Sequence, residues 1–174
     1  MAYDAFLWFT GGTPACEGET TDETYKTNKA IEILSFSLGA FNPVNITSQS
    51  GGAGAGKVDF SGVSIMKNTD KASISLFANM CAGTHFTDAT IALRRAGIAG
   101  KSGDLFLQFT FKMVFVSNMQ WSGGGGQDLC AESLTFDYGS IKIEYFKQDD
   151  KGKQAKAGEG MWSRIKNTAS DAIA

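Results

Sequence analysis

Residues 51–57 read GGAGAGK, and G-x-x-x-x-G-K is the spacing with which a loop cradles nucleotide phosphates. That chemistry needs a helix starting at the loop, whose free backbone N–H groups hold the anion, and a Ser or Thr after the lysine to ligate magnesium. Here Val58 follows Lys57, and KVDFSGVSI alternates as a strand does. Both conditions fail, so the expectation is a flexible connection between strands. The other reactive side chains lead no further. His85 is the one histidine, and its C-x-x-x-H spacing from Cys81 has no second ligand pair to complete a tetrahedral site. Cys81 is expected to be a buried structural thiol on the apolar stripe of a helix, and His85 to interact with that helix's last carbonyls. Glu17, Glu19, Asp22 and Glu23 lack the D-x-D-x-D-G register of a calcium loop and read as a polar surface loop. No catalytic residue, cofactor site or metal site is assigned.

These residues sit in a chain of 174 residues, 43% of them hydrophobic, long enough for one core and short for two. One domain over residues 1–174 is expected, with 147–174 a polar segment open between a short strand and a helix. A net charge of −2 carries no electrostatic footprint for nucleic acid or an anionic membrane. Cys16, Cys81 and Cys130 are odd in number and widely spaced, which fits reduced thiols better than a disulfide framework. The opening MAYDAFLWFTGG has no basic region and carries Asp4 in its apolar stretch, so it is not expected to be a signal peptide. No run approaches membrane-spanning length.

Period-two alternation dominates and predicts a mainly β fold. Strands are expected over residues 3–9, 31–38, 58–65, 87–95, 105–117 and 133–146. In the second, Leu34, Phe36 and Leu38 share the core face. In the fifth, Leu105, Leu107, Phe109, Phe111, Met113 and Phe115 form one apolar face. Gly62 and Gly139 mark changes of parity, as bulges in a strongly bent, barrel-like sheet would. One helix interrupts the series: Ile74, Phe77, Ala78 and Cys81 fall at i, i+3, i+4 and i+7, with Asp70 or Ser73 as N-cap and Gly83 as C-cap. Phe6 and Trp8, and Phe106, Val114 and Val116, oppose the main apolar stripes. That surplus requires cover from the helix, the tail or another subunit, and favours self-association.

The order of these parts resembles the Hcp family, the tube proteins of bacterial type VI secretion. The likeness rests on MAYDAFLWF, IEILSFSLG, GGAGAGKVDFSGVSIMKNTDKAS, ATIALRRAG, FLQFTFKMVFVSNMQWSGGGGQD and ESLTFDYGSIKIEYF. Trp162 resembles the family's Gly-Trp element, although Met161 here separates it from Gly160. The resemblance implies an antiparallel β-barrel of two packed sheets with one flanking α-helix, as in tail-tube proteins. It implies a homohexameric ring, stacking of rings into a hollow tube, and a structural role instead of an enzymatic one. The implied partners are further copies of the chain, a spike protein of the VgrG type, a contractile sheath and effector proteins carried in the lumen. It also implies assembly in the bacterial cytoplasm followed by export without a signal peptide.

Parity on residues 31–38 places Ser35 and Ser37 opposite the core face, where they would line the lumen. The two glycine-rich connections are the candidates for ring stacking: Gly51, Gly52, Gly54, Gly56 and Lys57 in one, Gly123, Gly124, Gly125, Gly126 and Asp128 in the other. A tail-tube subunit of a phage-like contractile injection system is the nearest alternative. A nucleotide-dependent enzyme using Lys57 and a monomeric ligand-binding barrel are more distant ones.

Overall fold

The computed structural model describes residues 3–46, 53–95, 103–125, 128–148 and 154–173. Along them run β1 (Tyr3–Thr10), β2 (Ile31–Glu32), β3 (Ser35–Ser37), β4 (Ala40–Phe41), β5 (Val44–Ile46), β6 (Ala53–Ala55), β7 (Asp59–Phe60) and β8 (Val63–Asn68). Helix α1 (Lys71–Ala82) follows, then β9 (Phe86–Arg95), β10 (Leu105–Ser122), β11 (Ala131–Gln148) and β12 (Gln154–Ser163). The main sheet is antiparallel in the order β2-β1-β9-β10-β11-β8-β3, with β12 added on β11. Its two ends, β2 and β3, are separated in sequence by only Ile33 and Leu34. Ile33 N–H donates to the Ala5 carbonyl (3.0 Å) and Leu34 N–H to the Met66 carbonyl (2.7 Å), so the sheet closes on itself there. The handover covers the sheet edges at β1 and β8, while β12 remains an edge strand on β11.

The expected strand over residues 31–38 is therefore two strands on opposite ends of the sheet. Leu34, at the handover, is 65% exposed and leaves the core, whereas Phe36 and Leu38 pack against it. The segment 58–65 is also divided. β7 pairs with β4, β8 pairs with β3 and β11, and Gly62 lies at the break where a Cβ would come 2.9 Å from Thr135 Cγ2. The parity change at Gly139 is present, and β10 shares it. Met113, in line with Gly139 in the ladder, takes a positive φ of 55°, so Phe111 and Val114 both point inward. Phe115 thereby turns outward, and Val114 and Val116 join the core in place of opposing it.

The core is a dense aromatic and aliphatic cluster from β1, β8, β9, β10 and β11, with Phe111 against both Phe136 (5.3 Å) and Tyr138 (4.9 Å). Phe6 and Trp8 face away from it, and the connection over residues 11–30 covers them, where the helix, tail or another subunit was expected. Tyr25 stacks on Phe6 at 4.4 Å and lies 5.8 Å from Trp8. Arg94 lies over both Phe6 and Tyr25 while pairing with Asp4 (3.0 Å) and Asp22 (2.6 Å). The acidic loop is tied down as well. Glu17 pairs with Lys29 and Lys71, and its carboxyl is held down at about 2, chiefly by the Lys29 hydrogen bond.

Helix α1 is present with Asp70 in a capping box with Ser73 and Gly83 as its left-handed C-cap, but it packs the other way round. Ala72, Ser73, Ser75, Leu76 and Asn79 are buried; Ile74 is 73% exposed, and Phe77 and Cys81 also face out. Polar contacts hold the inward face. Asn79 accepts from Thr13 N–H (3.0 Å) and donates to the Pro14 and Ser75 carbonyls (2.7 and 2.8 Å). Lys67, fully buried, donates to Asp70 (2.7 Å) and Ser73 (2.9 Å) and lies 3.6 Å from buried Glu132. A buried charge persists only when paired in this way. The helix-end carbonyls are taken by Gly83 and Thr84 N–H, and His85 lies instead on Phe115 at 5.4 Å. The tail forms β12, a strand where the residues alone left strand and helix open.

This packing makes the two faces of α1 unequal in energy. Leu76→Ala is expected to cost about 2–5 kcal/mol in urea unfolding, against about 0.5 kcal/mol or less for Ile74→Ala. Equal losses would mean that the helix buries its apolar stripe after all. Burial pushes the Cys16 thiol up to about 12, so its reactive thiolate is scarce in the folded protein at neutral and mildly alkaline pH. Iodoacetamide under mildly alkaline conditions should modify exposed Cys81 and spare Cys16 until denaturant is added. Modification of both at one rate would contradict the assigned burial.

Candidate functional site

The glycine run that resembled a phosphate loop belongs to an arm. Ala40 and Phe41 pair with Phe60 and Asp59, and farther out Val44–Ile46 pairs with Ala53–Ala55, with Asn45 opposite Gly54. Residues 40–46 thus run out from the barrel and residues 53–60 run back to it. At the arm's root Gly39 and Ser61 exchange backbone and side-chain hydrogen bonds of 2.8 to 3.2 Å. Gly56 is needed because the strands nearly touch there. Its N–H donates to the Pro43 carbonyl (3.0 Å), and a Cβ would lie 2.6 Å from Pro43 Cγ. Lys57 is exposed and is followed by Val58 and β7, so no helix N-terminus faces it. Gly51 and Gly52 lie outside the described residues. The arm carries unburied apolar side chains, Phe41 at 68% and Val44 at 55% exposure.

The second glycine connection joins β10 to β11. Gly123, Gly124, Gly125 and Asp128 are exposed, and added Cβ atoms at Gly124 and Gly125 would meet nothing within 4 Å. Gly126 lies outside the described residues. The loop's roots are held: Cys130 Sγ donates to the Ser122 carbonyl (3.1 Å), and the Cys130 carbonyl accepts from Thr69 N–H (2.9 Å).

Between arm and loop lies the short ladder β3-β8-β11. Ser35 and Ser37 are both exposed, on either side of inward-facing Phe36, which sits 5.7 Å from Phe109. Residues opposite one another in an antiparallel ladder share a face. Ser37 pairs with Ser64, Ser64 with Thr135 and Thr135 with Asn118; Ser35 pairs with Met66, Met66 with Ser133 and Ser133 with Gln120. The outer face of this ladder is therefore almost wholly hydroxyl and amide, with Ser64 and Thr135 hydroxyls 3.4 Å apart. Ser64, Asn118, Gln120, Ser133 and Thr135 were missed in the sequence. The alternation Val63-Ser64-Ile65 and Ser133-Leu134-Thr135-Phe136 carried the signal, but only the pairing shows that these residues form one surface with Ser35 and Ser37.

The ladder also separates the two glycine segments. The loop leaves at the Asn68–Ala131 end, and the arm leaves beyond the Val63–Phe136 end. Six paired positions, roughly 20 Å of strand, lie between them. Among the described residues no group of three or more potential metal ligands occurs, and no helix is long and apolar enough to cross a membrane.

Comparison with known proteins agrees with the fold. The family model described as "Type VI secretion system effector, Hcp" matches residues 6–145. Protein hcp1 of Pseudomonas aeruginosa is 32% identical over 102 residues; the match covers 59% of this chain and 60% of that protein, so the chain spans about three fifths of that relative's length. A solved type six secretion system protein superposes with a TM-score of 0.84 at 32% identity, covering 96% of this chain and 99% of its own. Hcp1 from Salmonella typhimurium superposes at 0.74 with 24% identity, over 98% of this chain and all of that one, a likeness of fold. With the family model matched over most of the chain and the barrel and flanking helix in place, the chain belongs to the Hcp family of type VI secretion tube proteins.

Proposed function

We propose that this chain is the repeating subunit of hexameric rings that stack head-to-tail into a hollow tube. The carrying observation is the placement of the arm and the Gly123–Asp128 loop at opposite ends of one hydroxyl-faced ladder. A head-to-tail stack needs two different surfaces, one at each end of the subunit, because the contact is heterologous. The arm offers exposed Phe41 and Val44 for such a contact; the loop offers backbone unobstructed by side chains. The hydroxyl face, with Ser35 and Ser37, lies between them and lines the lumen in this reading. Small uncharged hydroxyls suit transient holding of effector proteins, since they bind weakly and do not select by charge. The rings are assembled in the bacterial cytoplasm and expelled with a spike protein when a surrounding sheath contracts. The subunit itself makes and breaks no covalent bond.

Light scattering on the purified protein should give a mass near six subunits, with ring-shaped particles in negative stain. A monomer at all concentrations would contradict the ring. Gly56→Leu should leave the ring mass intact and at least halve tube length, because the side chain meets Pro43 midway along the arm. Tubes of native length from that variant would remove the arm from the stacking contact.

A further inference from the structure

Trp121, Glu132 and Lys67 form a row across three strands, since Trp121 pairs with Glu132 and Glu132 with Lys67. The row is polar and mostly buried. Glu132 and Lys67 are 0% exposed, and Trp121 is 43% exposed. The Trp121 indole N–H donates to Glu132 Oε2 (3.0 Å), and Lys67 passes the row on to Asp70 and Ser73 at the start of α1. Outside the sheet the Trp121 ring meets Phe77 of α1 edge-on at 5.8 Å. The helix and the root of the Gly123–Asp128 loop are thus joined twice, through the buried row and through the aromatic pair. Lys67 is already satisfied by Asp70, Ser73 and the Asn68 carbonyl (3.0 Å). Glu132 is therefore not required to neutralise it, and the hydrogen bond that Glu132 accepts from Trp121 is the contact with a distinct consequence.

We propose that Glu132 is a positioning residue for ring stacking: by fixing the Trp121 indole it sets the exit angle of residues 122–125 relative to α1. This rests on the reading that the loop makes the ring-to-ring contact. A glycine-rich segment has little conformational preference of its own, so its direction is set by its roots. One root is Trp121, and the other is Cys130, bonded to Thr69 just before the helix. An indole held by a buried carboxylate cannot swing without leaving Glu132 Oε2 without its donor, which is costly. The loop's reach is thereby tied to the rigid helix instead of to its own sequence.

The test compares the native chain with Trp121→Phe, which deletes the donor and keeps an aromatic ring against Phe77. Trp121→Phe/Glu132→Gln serves if the single variant is too unstable, because no buried carboxylate then loses its donor and Lys67 keeps Asp70 and Ser73. Amide exchange of a peptide covering residues 122–130 should accelerate at least tenfold, with ring mass unchanged and exchange elsewhere in the barrel within twofold. The protein concentration needed for stacking should rise at least fivefold. Unchanged exchange at 122–130 would overturn the proposal, and so would faster exchange with native stacking. A separate variant lacking Gly124 and Gly125 distinguishes the underlying reading: if it stacks as the native chain does, the loop is not a stacking element, whatever the exchange data say about Glu132.

Discussion

Two backbone hydrogen bonds at consecutive residues hold the architecture together. Ile33 bonds to β1 and Leu34 to β8, so one stretch of chain leaves one end of the sheet and enters the other without a loop between them. A closed sheet has a single interior and a single exterior, and every strand's parity is fixed relative to both. The long strands β10 and β11 must bend to follow that closure. One such bend is where Met113 takes a left-handed conformation beside Gly139, whose missing side chain leaves room for Met113, Ile165 and Ile173. The ladder shifts again between Val116 and Asn118. The exchange of faces at Met113 moves Val114 and Val116 into the core and puts Phe115 outside.

Once the sheet is closed, the parts that project from it are those that the proposed tube would use for assembly. The helix shows how that division is made. Its inward face sets Ala72 and Leu76 into the core and is otherwise polar, held by Asn79, Ser73 and the buried Lys67, while Ile74, Phe77 and Cys81 of its apolar stripe face outward. Burying the stripe would have been the simpler way to stabilise a lone subunit, at about 25 cal/mol per Å² of apolar surface removed from water. Holding the helix by Leu76, Ala72 and hydrogen bonds instead leaves Ile74 and Phe77 in the open, an arrangement that suits the subunit of the proposed tube.

Much of this was legible in the residues. The alternating strands, the Asp70 and Gly83 caps, the bulge at Gly139 and the failure of the GGAGAGK run as a phosphate loop were all readable locally, because each depends on spacing and on the neighbours in sequence. What was not legible depends on pairing at a distance. Periodicity shows that Ile74, Phe77, Ala78 and Cys81 lie on one side of a helix, but not which side is buried. Nothing marks the handover at Ile33–Leu34, where neither Gly nor Pro interrupts the alternation. Met113 carries no sign of its positive φ, which is imposed by the strand beside it. Nor do Lys67 and Glu132 announce their burial, since either charge is tolerated inside only with the partners that the fold brings to it. The cover over Phe6 and Trp8 was expected from another element or subunit, and came instead from a loop whose polar composition concealed Tyr25.

In the proposed tube, the arm of one ring meets the glycine loop of the next. Cross-linking between Phe41→Cys and Gly124→Cys, in a chain with Cys81 and Cys130 replaced by serine, measures that contact directly. Oxidation of assembled tubes is predicted to join rings covalently, through bonds from the thiol introduced at position 41 to the thiol introduced at position 124, and to fail when either substitution is made alone. Bonds linking two copies of position 41, or two copies of position 124, would mean rings stacked face to face and would contradict the head-to-tail tube.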